Sequence, residues 1–587
     1  MKEIPTREQL NKVDKDILIT MFLSLAEQME QQTELIKMLK LEIESLSEKL
    51  SLSNTRQFAP STEAGLTDGE QLSIYSLGFN EAEALAEKPL PQEPVMEEVT
   101  SYQRKKKAGK REEDLPGYPV EEITHELTEE ELKEHFPNGY TILPDEVYRK
   151  LEMIPSTFKV MEHHVKVYKG KEGRIIKASR PKELFPNSIA TASLVSAIIN
   201  AKYVNAVPLY RQEQEYKRND VNISRQTMAN WCILSSERYL SLIADRMKQE
   251  LLKSHVLHAD ETPVTVIKDG REGTHKNYMW VYRTGEMCKA NTVVIYDYQK
   301  TRKAEAPREM LREFQGKLVC DGYQVYHGME DDMEDVTVCG CWAHARRPFA
   351  EVVKSLGKER AKGTAAYEAL LQIEQIYRKD NELRKLPAKE RKRKRRLLVK
   401  PLVDGFFQWA KEEQSKLMLS SKTAKGLQYC IHQEKYLRKF ITDPEVPLDN
   451  NPAERAIRPF CVGKKNWVLI DTINGARASA VLYSIVETAK ANDLKPYNYF
   501  KHLLTEIPKH MDDTDLEFLE ELMPWSGHLP DDCRKKNSYN THPRLDYDMG
   551  CFYAVNTLVI YRLPPLYLRL KWYRYSHGRR VKWSISI

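Results

Sequence analysis

The chain is poor in the residues that would announce a disulfide scaffold or a membrane protein. Nine cysteines are scattered through 587 residues, the first at Cys232, with no repeated CxxC spacing. That excludes a disulfide framework and fits a reducing compartment. No stretch approaches the roughly 20 apolar residues needed to span a bilayer. The opening "MKEIPTREQL" lacks the pattern of a secretory signal. A strong excess of one charge is missing too: 30% of residues are charged, yet the net charge is only +6. Charge alone therefore does not identify a nucleic-acid partner, and its local distribution matters more. The expectation is a soluble cytoplasmic protein with no membrane partner and several domains.

Helical and strand patterns divide what is there. In residues 14–52, Ile36, Leu39, Ile43, Leu46 and Leu50 alternate steps of three and four, an a/d seam. The seam predicts a short coiled coil and self-association; the alternative is a helix packed on its own domain. Residues 53–120 are rich in Pro, Ser and Glu, carry the basic run "RKKKAGKR", and read as a linker. Residues 121–185 read as a small mixed domain in which "STFKVMEHHVKVYKG" alternates like a strand. Its adjacent His163 and His164 would lie on opposite strand faces, a poor arrangement for one metal. Residues 186–255 read as helical: one helix, a turn at "NDVN", and a second helix capped by Ser224. In this helix-turn-helix-like pattern Arg225, Gln226 and Asn230 are candidates for phosphate and base-edge contacts.

From residue 256 the texture changes to strands. "VLHADETPVTVI", "NYMWVYRT" and "NTVVIYDY" precede a helix at "KAEAPREMLREF" and a strand in "GKLVCDGY". The order β-β-β-α-β is that of a ribonuclease-H-like fold. Residues 343–445 are helical and very basic, and "LDNNPAERAIRPF" then passes from a turn into a helix. Three acids fall at informative places: Asp260 in the first strand, Asp321 at the end of the fourth, and Glu454 at the start of that late helix. Buried acids are costly unless something offsets their charge. Converging carboxylates select a hard cation, Mg²⁺ or Mn²⁺, and two such ions support in-line phosphoryl transfer. Glu261, next to Asp260 on the strand, should point the other way and serve structure. Each acid also has a plainer explanation. Asp321 before Gly322 suits a turn, and Glu454 suits a helix first turn.

Taken together, "HADETPV", "CDGY" followed by "GCWAHARRPF", and "LDNNPAERAIRPFCVGKKNW" resemble the DDE-type transposases of the insertion sequence 66 family. "FPNSIATASLVSAIINAKYVNAVPLYRQE" and "ISRQTMANW" resemble the segment that precedes their catalytic domain. The resemblance implies Asp260, Asp321 and Glu454 as the metal-binding triad. It implies that the basic helical block is an insertion in the catalytic fold, and that the N-terminal heptads are a leucine-zipper-like start. Two features depart from the family. The cysteine-rich, zinc-finger-like element is absent here, because no cysteine precedes Cys232, so no zinc is expected. The likeness also ends near "LPDDCRKK"; the tail that follows is either a basic-aromatic DNA contact or translation past a normal end.

Cys339, Cys341 and His344 in "CGCWAHARRPF" lie close enough to suggest zinc, but no fourth ligand is evident. His344, Arg346 and Arg347 read instead as phosphate contacts beside the active site. Arg455 and Arg458 would face the same backbone, and Lys464, Lys465 and Trp467 would hold a strand end, the ring by stacking.

The expected fold class is thus α/β: a ribonuclease-H-like catalytic domain at 256–510 with a helical insertion at about 343–445. A helical DNA-binding region at 186–255 and an N-terminal coiled coil precede it. A C-terminal segment at 511–534 and an atypical basic-aromatic tail at 535–587 follow. The expected activity is a nucleoid-associated DNA transposase that cleaves element ends and joins the 3′-hydroxyl to target DNA. Its expected partners are DNA, a second copy of itself and small companion proteins of the element. The rivals are a metal-dependent nuclease without strand transfer and a catalytically inert DNA-binding remnant.

Overall fold

In the computed structural model, residues 14–58, 138, 158–169, 175–179, 182–273, 275–288, 290–513 and 515–535 are described. Most of the expected linker, much of the small mixed domain and nearly all of the tail lie outside them. The chain divides into two units; the larger comprises residues 1–104 and 152–536 and holds the elements below.

The first helix, α1 (Lys15–Phe58), extends beyond the heptad segment. The alternation expected after residue 156 yields only a short exposed hairpin, β1 (Val167–Lys169) and β2 (Ile175–Lys177). Residues 158–166, including His163 and His164, form no regular structure. Alternation there has no packed face to make a longer strand worthwhile, since all six hairpin residues are exposed.

Four helices follow: α2 (Ala192–Ile199), α3 (Leu209–Arg218), α4 (Arg225–Ser235) and α5 (Ser241–Leu252). Ser224 caps α4, its hydroxyl accepting the Thr227 N–H at 3.1 Å. The turn before it contains Asp220 at φ 58°. An Asp side chain tolerates that left-handed conformation better than most.

The sheet contains β3 (Val256–Lys268), β4 (Lys276–Thr284), β5 (Val294–Gln299), β6 (Gly316–Cys320) and β7 (Val336–Gly340), in spatial order 5-4-3-6-7. Strands β3, β4 and β5 pair antiparallel, whereas β3–β6 and β6–β7 are parallel. The short α6 (Glu305–Met310) connects β5 to β6, and α7 (Gln324–Asp332) connects β6 to β7. β3 is central. Val256, Leu257, His258 and Ala259 are all buried, as expected of a strand covered on both faces. Asp269 and Gly270 follow its end, with Gly270 at φ 81°, a conformation that glycine adopts freely. A short β8 (Ile470–Thr472) pairs with its far end.

Two hydrophobic cores flank the sheet. One joins α2–α5 to the sheet and to three late helices, α12 (Asn451–Trp467), α13 (Ile473–Ala491) and α14 (Pro496–Glu506). The other is built by the expected insertion: α8 (Trp342–Leu356), α9 (Ala365–Leu383), α10 (Lys400–Gln414) and α11 (Lys422–His432). Part of the basic run in this block is internal. Arg395 is fully buried, bidentate with Asp380 at 2.7 and 2.9 Å. It also donates to the carbonyls of Phe440, Asp443 and Val446. The charge is satisfied on every side, as a buried guanidinium requires. Among the described residues, no helix is long and apolar enough to cross a membrane.

Candidate active site

The register between β3 and β6 brings the first two acids to one edge of the sheet. His258 is paired with Val319. Asp260 lies two residues past that pair along β3, and Asp321 two residues past it along the segment leaving β6. Asp321 lies just past the end of β6, where its Oδ1 accepts the Tyr323 N–H at 3.0 Å, so it is also the turn residue. Gly322 is needed beside it: a Cβ there would lie 2.6 Å from the Tyr429 hydroxyl of α11. The insertion therefore packs directly against the Asp321 turn.

The third acid arrives on α12, which lies across β3 and β4. Asn450, the N-cap residue of α12, fixes the start of that helix. Its Nδ2 donates to the Ala259 carbonyl at 2.7 Å, and its Oδ1 is 2.9 Å from Nδ1 of His258. Its backbone N–H points at Cys341 Sγ, 3.1 Å away. One buried residue thus ties α12 to the strand carrying Asp260 and to the start of α8. Glu454 follows in the first turn, where a carboxylate is favoured by the exposed helix N–H groups. Its Oε1 lies 3.6 Å from His344 Nδ1 and 3.8 Å from an Arg347 nitrogen.

Asp260 senses the other two acids. Burial pushes the Asp260 carboxyl well above its ordinary value, and the negative charges of Glu261, Glu454 and Asp321 add to the rise; the Glu261 N–H bonded to it opposes them. Convergent oxygen donors with uncompensated charge are a chemically suitable set for a hard divalent cation. Burial also pushes the His258 imidazole down to about 4, which keeps it neutral beside this cluster.

Glu261 points away from Asp260 into a packed network. Its carboxylate accepts from Arg302 Nε at 2.8 Å and from the Tyr326 hydroxyl at 2.7 Å. The Arg302 guanidinium lies over the Tyr323 ring, 3.7 Å from its centroid. This places a cation between the back of β3 and the loop carrying Asp321.

The expected DNA contacts divide. Arg225, Gln226 and Asn230 are exposed on α4, with Arg225 resting over the Tyr210 ring. Arg347, Arg455, Arg458 and Lys465 are exposed as well. Arg455 is bound to Glu286 at 2.6 Å, and Lys464 donates to the Pro263 carbonyl at 2.7 Å. Lys276, Lys464 and Lys465 line a groove of about 440 Å³ beside β3. Arg346 is a correction. It is 2% exposed, because the 3.6-residue period of α8 turns it inward with Ala345 and Phe349, so it does not face a phosphate. Trp467 is only partly exposed and packs edge-on against Phe460, 5.6 Å between ring centres. Its ring is engaged in the core rather than presented for stacking.

Asn450 and Arg302 were not singled out from the sequence. An Asn directly before Asn-Pro at a helix start was the available sign for Asn450. Nothing local marks Arg302, a loop residue, because its partner Glu261 lies on β3, some forty residues earlier.

Comparison with known proteins identifies a family. Residues 187–478 match the family described as "Transposase IS66 family", and residues 484–525 match the "IS66 C-terminal element". Three relatives from Sinorhizobium fredii are similar, all bearing the name uncharacterized protein. The first, y4qI, is 29% identical over 389 residues, 64% of this chain and 70% of the relative. The second, y4hP, is 26% identical over 397 residues, 65% of this chain and 71% of the relative. With the fold and the matched segments in agreement, this chain belongs to the IS66 family of transposases.

Proposed function

We propose that this chain is a DNA transposase that cuts at the ends of its element and joins the freed 3′-hydroxyl to target DNA. The observation that carries the reading is that Asp260, buried in the central strand, lies close enough to Glu454, from a helix start, and Asp321, from a strand end, for their charges to raise its carboxyl. Sheet order 5-4-3-6-7, with its antiparallel half and its parallel half, supports a ribonuclease-H-like assignment for this domain.

Asp260, Asp321 and Glu454 would hold Mg²⁺, or Mn²⁺ in its place. When bound, such ions supply charge neutralisation and nucleophile activation for in-line displacement at phosphorus. The chain's own groups do the rest. Arg347 and the exposed cations of α12 attract the DNA backbone. Arg302 and Tyr326 hold Glu261 still, and so steady the strand that carries Asp260. In the first step water attacks the phosphodiester and the 3′-hydroxyl leaves. In the second that hydroxyl attacks the target phosphodiester, with no covalent protein intermediate. α4 offers Arg225, Gln226 and Asn230 for end recognition, and α1 offers its seam to a second copy, which suits an enzyme that holds two ends.

The test uses labelled element ends with Mg²⁺. Asp260→Asn is expected to lose cleavage and strand transfer by at least about 10³-fold while still shifting end DNA in a gel. Joining of pre-cut ends by the variant would overturn the assignment. Cutting without joining by the wild type would identify a nuclease instead.

A further inference from the structure

A different set of donors meets at Glu454. Cys341 is the N-cap of α8, and His344 is three residues on, in its first turn. That spacing sets both side chains on one side of the helix start. The third donor comes from more than a hundred residues later, so no local motif announces it. Among the described residues, Cys341 Sγ, a ring nitrogen of His344 and a carboxylate oxygen of Glu454 lie within 4.8 Å of one another. Cys339 is not part of the group; its thiol is directed at the Thr337 carbonyl, 3.9 Å away.

Three details suit an ion here. His344 Nδ1 and Glu454 Oε1 are buried atoms with no hydrogen-bond partner, facing each other at 3.6 Å. That separation is too long for a good hydrogen bond. The Asn450 N–H is aimed at Cys341 Sγ and fixes where that sulfur sits. And a sulfur, an imidazole and a carboxylate are the donor types of zinc, not of magnesium. We propose that Cys341, His344 and Glu454 form a second metal site, selective for Zn²⁺-class ions, that shares Glu454 with the carboxylate cluster and switches it off when filled.

Ligands about 2.0–2.3 Å from zinc in a tetrahedron stand roughly 3.5 Å apart. Closure from 4.8 Å needs side-chain shifts of about 1 Å, within reach of a carboxylate on a first helical turn. Cys341 gives its thiol proton to solvent as the ion binds, and no electrons are transferred. Thiolate and carboxylate together balance the divalent charge, and the fourth position is left to water. Arg347, half exposed, swings away from Glu454. A Glu454 committed to zinc is withdrawn from Asp260 and Asp321. Binding stands on geometry alone; only the switching-off rests on the proposed function.

Full-length reduced protein, stripped of metal, is titrated with Co²⁺ as a spectroscopic probe and then with Zn²⁺. One equivalent of Co²⁺ is expected to give the near-ultraviolet thiolate-to-cobalt charge-transfer band, and Zn²⁺ to abolish it. Cys341→Ser should remove the band. His344→Gln should weaken binding beyond the roughly 10–100-fold typical of outer-shell changes. Asp260→Asn should leave the band intact. No band in the wild type, a band that survives Cys341→Ser, or one lost in Asp260→Asn would overturn the site. Should Cys341→Ser not fold, His344→Gln decides, since unchanged affinity there also overturns it. The switch is read separately, as each protein's own Mg²⁺-dependent cleavage rate with and without Zn²⁺. Wild type should lose at least about 10-fold and His344→Gln should not. If no protein cleaves DNA, the proposed function fails while the cobalt band still answers for the site.

Discussion

At the scale of single residues, Asp260 trades stability for function. Its carboxyl holds a proton more tightly folded than unfolded, because burial and then Glu261, Glu454 and Asp321 raise it. A raised carboxyl stabilises the fold fully only below its ordinary value of 3.8, and that benefit is lost as pH climbs toward the folded value. At neutral pH without metal, Asp260→Asn should therefore be the more stable protein, by about 1–2 kcal/mol. Saturating Mg²⁺ should close the gap, since only the wild type gains from binding. Scanning calorimetry with and without Mg²⁺ checks both signs; a variant less stable in chelator would contradict the electrostatic account. His258 gives the opposite dependence. Burial lowers its imidazole from 6.5 to about 4, so its contribution is present above pH 6.5 and drains away as pH falls toward 4. His258→Asn keeps a donor for Asn450 but cannot titrate. Urea midpoints at pH 7 and 4.5 should show the wild type losing roughly 2–3 kcal/mol more than this variant.

At the scale of elements, α12 delivers Glu454 only because Asn450 pins its first turn to β3. Asn450→Ala removes two buried hydrogen bonds, one to the Ala259 carbonyl and one to the His258 ring. A loss of about 2–4 kcal/mol is expected, with cleavage falling more than end binding. Unfolding and gel-shift measurements on one preparation separate the two; equal losses in both would make Asn450 merely structural. The same elements explain what the sequence disclosed. Asp260, Asp321 and Glu454 stood out because a strand interior, a strand end and a helix start are each recognisable in the sequence. Ser224 was legible as a cap for the same local reason. Partners from distant segments were not: Arg302 on Glu261, or Glu454 beside Cys341. Arg346 was misjudged because a cation in "HARRPF" reads as exposed until the face of α8 is known. Arg395 hid in a basic run, because its partner Asp380 lies on another helix. The alternation near His163 predicted a long strand that, without a packed face, does not form.

At the scale of the whole molecule, α1 carries two faces with different fates. One is occupied by the chain's own insertion. Glu48 accepts the Thr423 N–H at 3.1 Å and its hydroxyl at 3.0 Å, capping the start of α11, and Ser45 meets Ser420 at 3.3 Å. The other face leaves Ile36, Leu39, Ile43, Leu46 and Leu50 about half or more exposed. Both alternatives posed by the heptads therefore have a share of the helix: it packs on its own domain and still offers an apolar stripe. A regular a/d stripe is stabilised by burial against another helix. Leu39→Glu with Leu46→Glu should convert a self-associated protein to monomer in sedimentation velocity, leaving its thermal unfolding nearly unchanged, because both side chains are about half exposed. Glu48→Ala should do the reverse, loosening α1 from α11 and exposing it to limited proteolysis while the oligomer persists. If the double substitution leaves the sedimentation coefficient unmoved, the stripe is not the contact between copies.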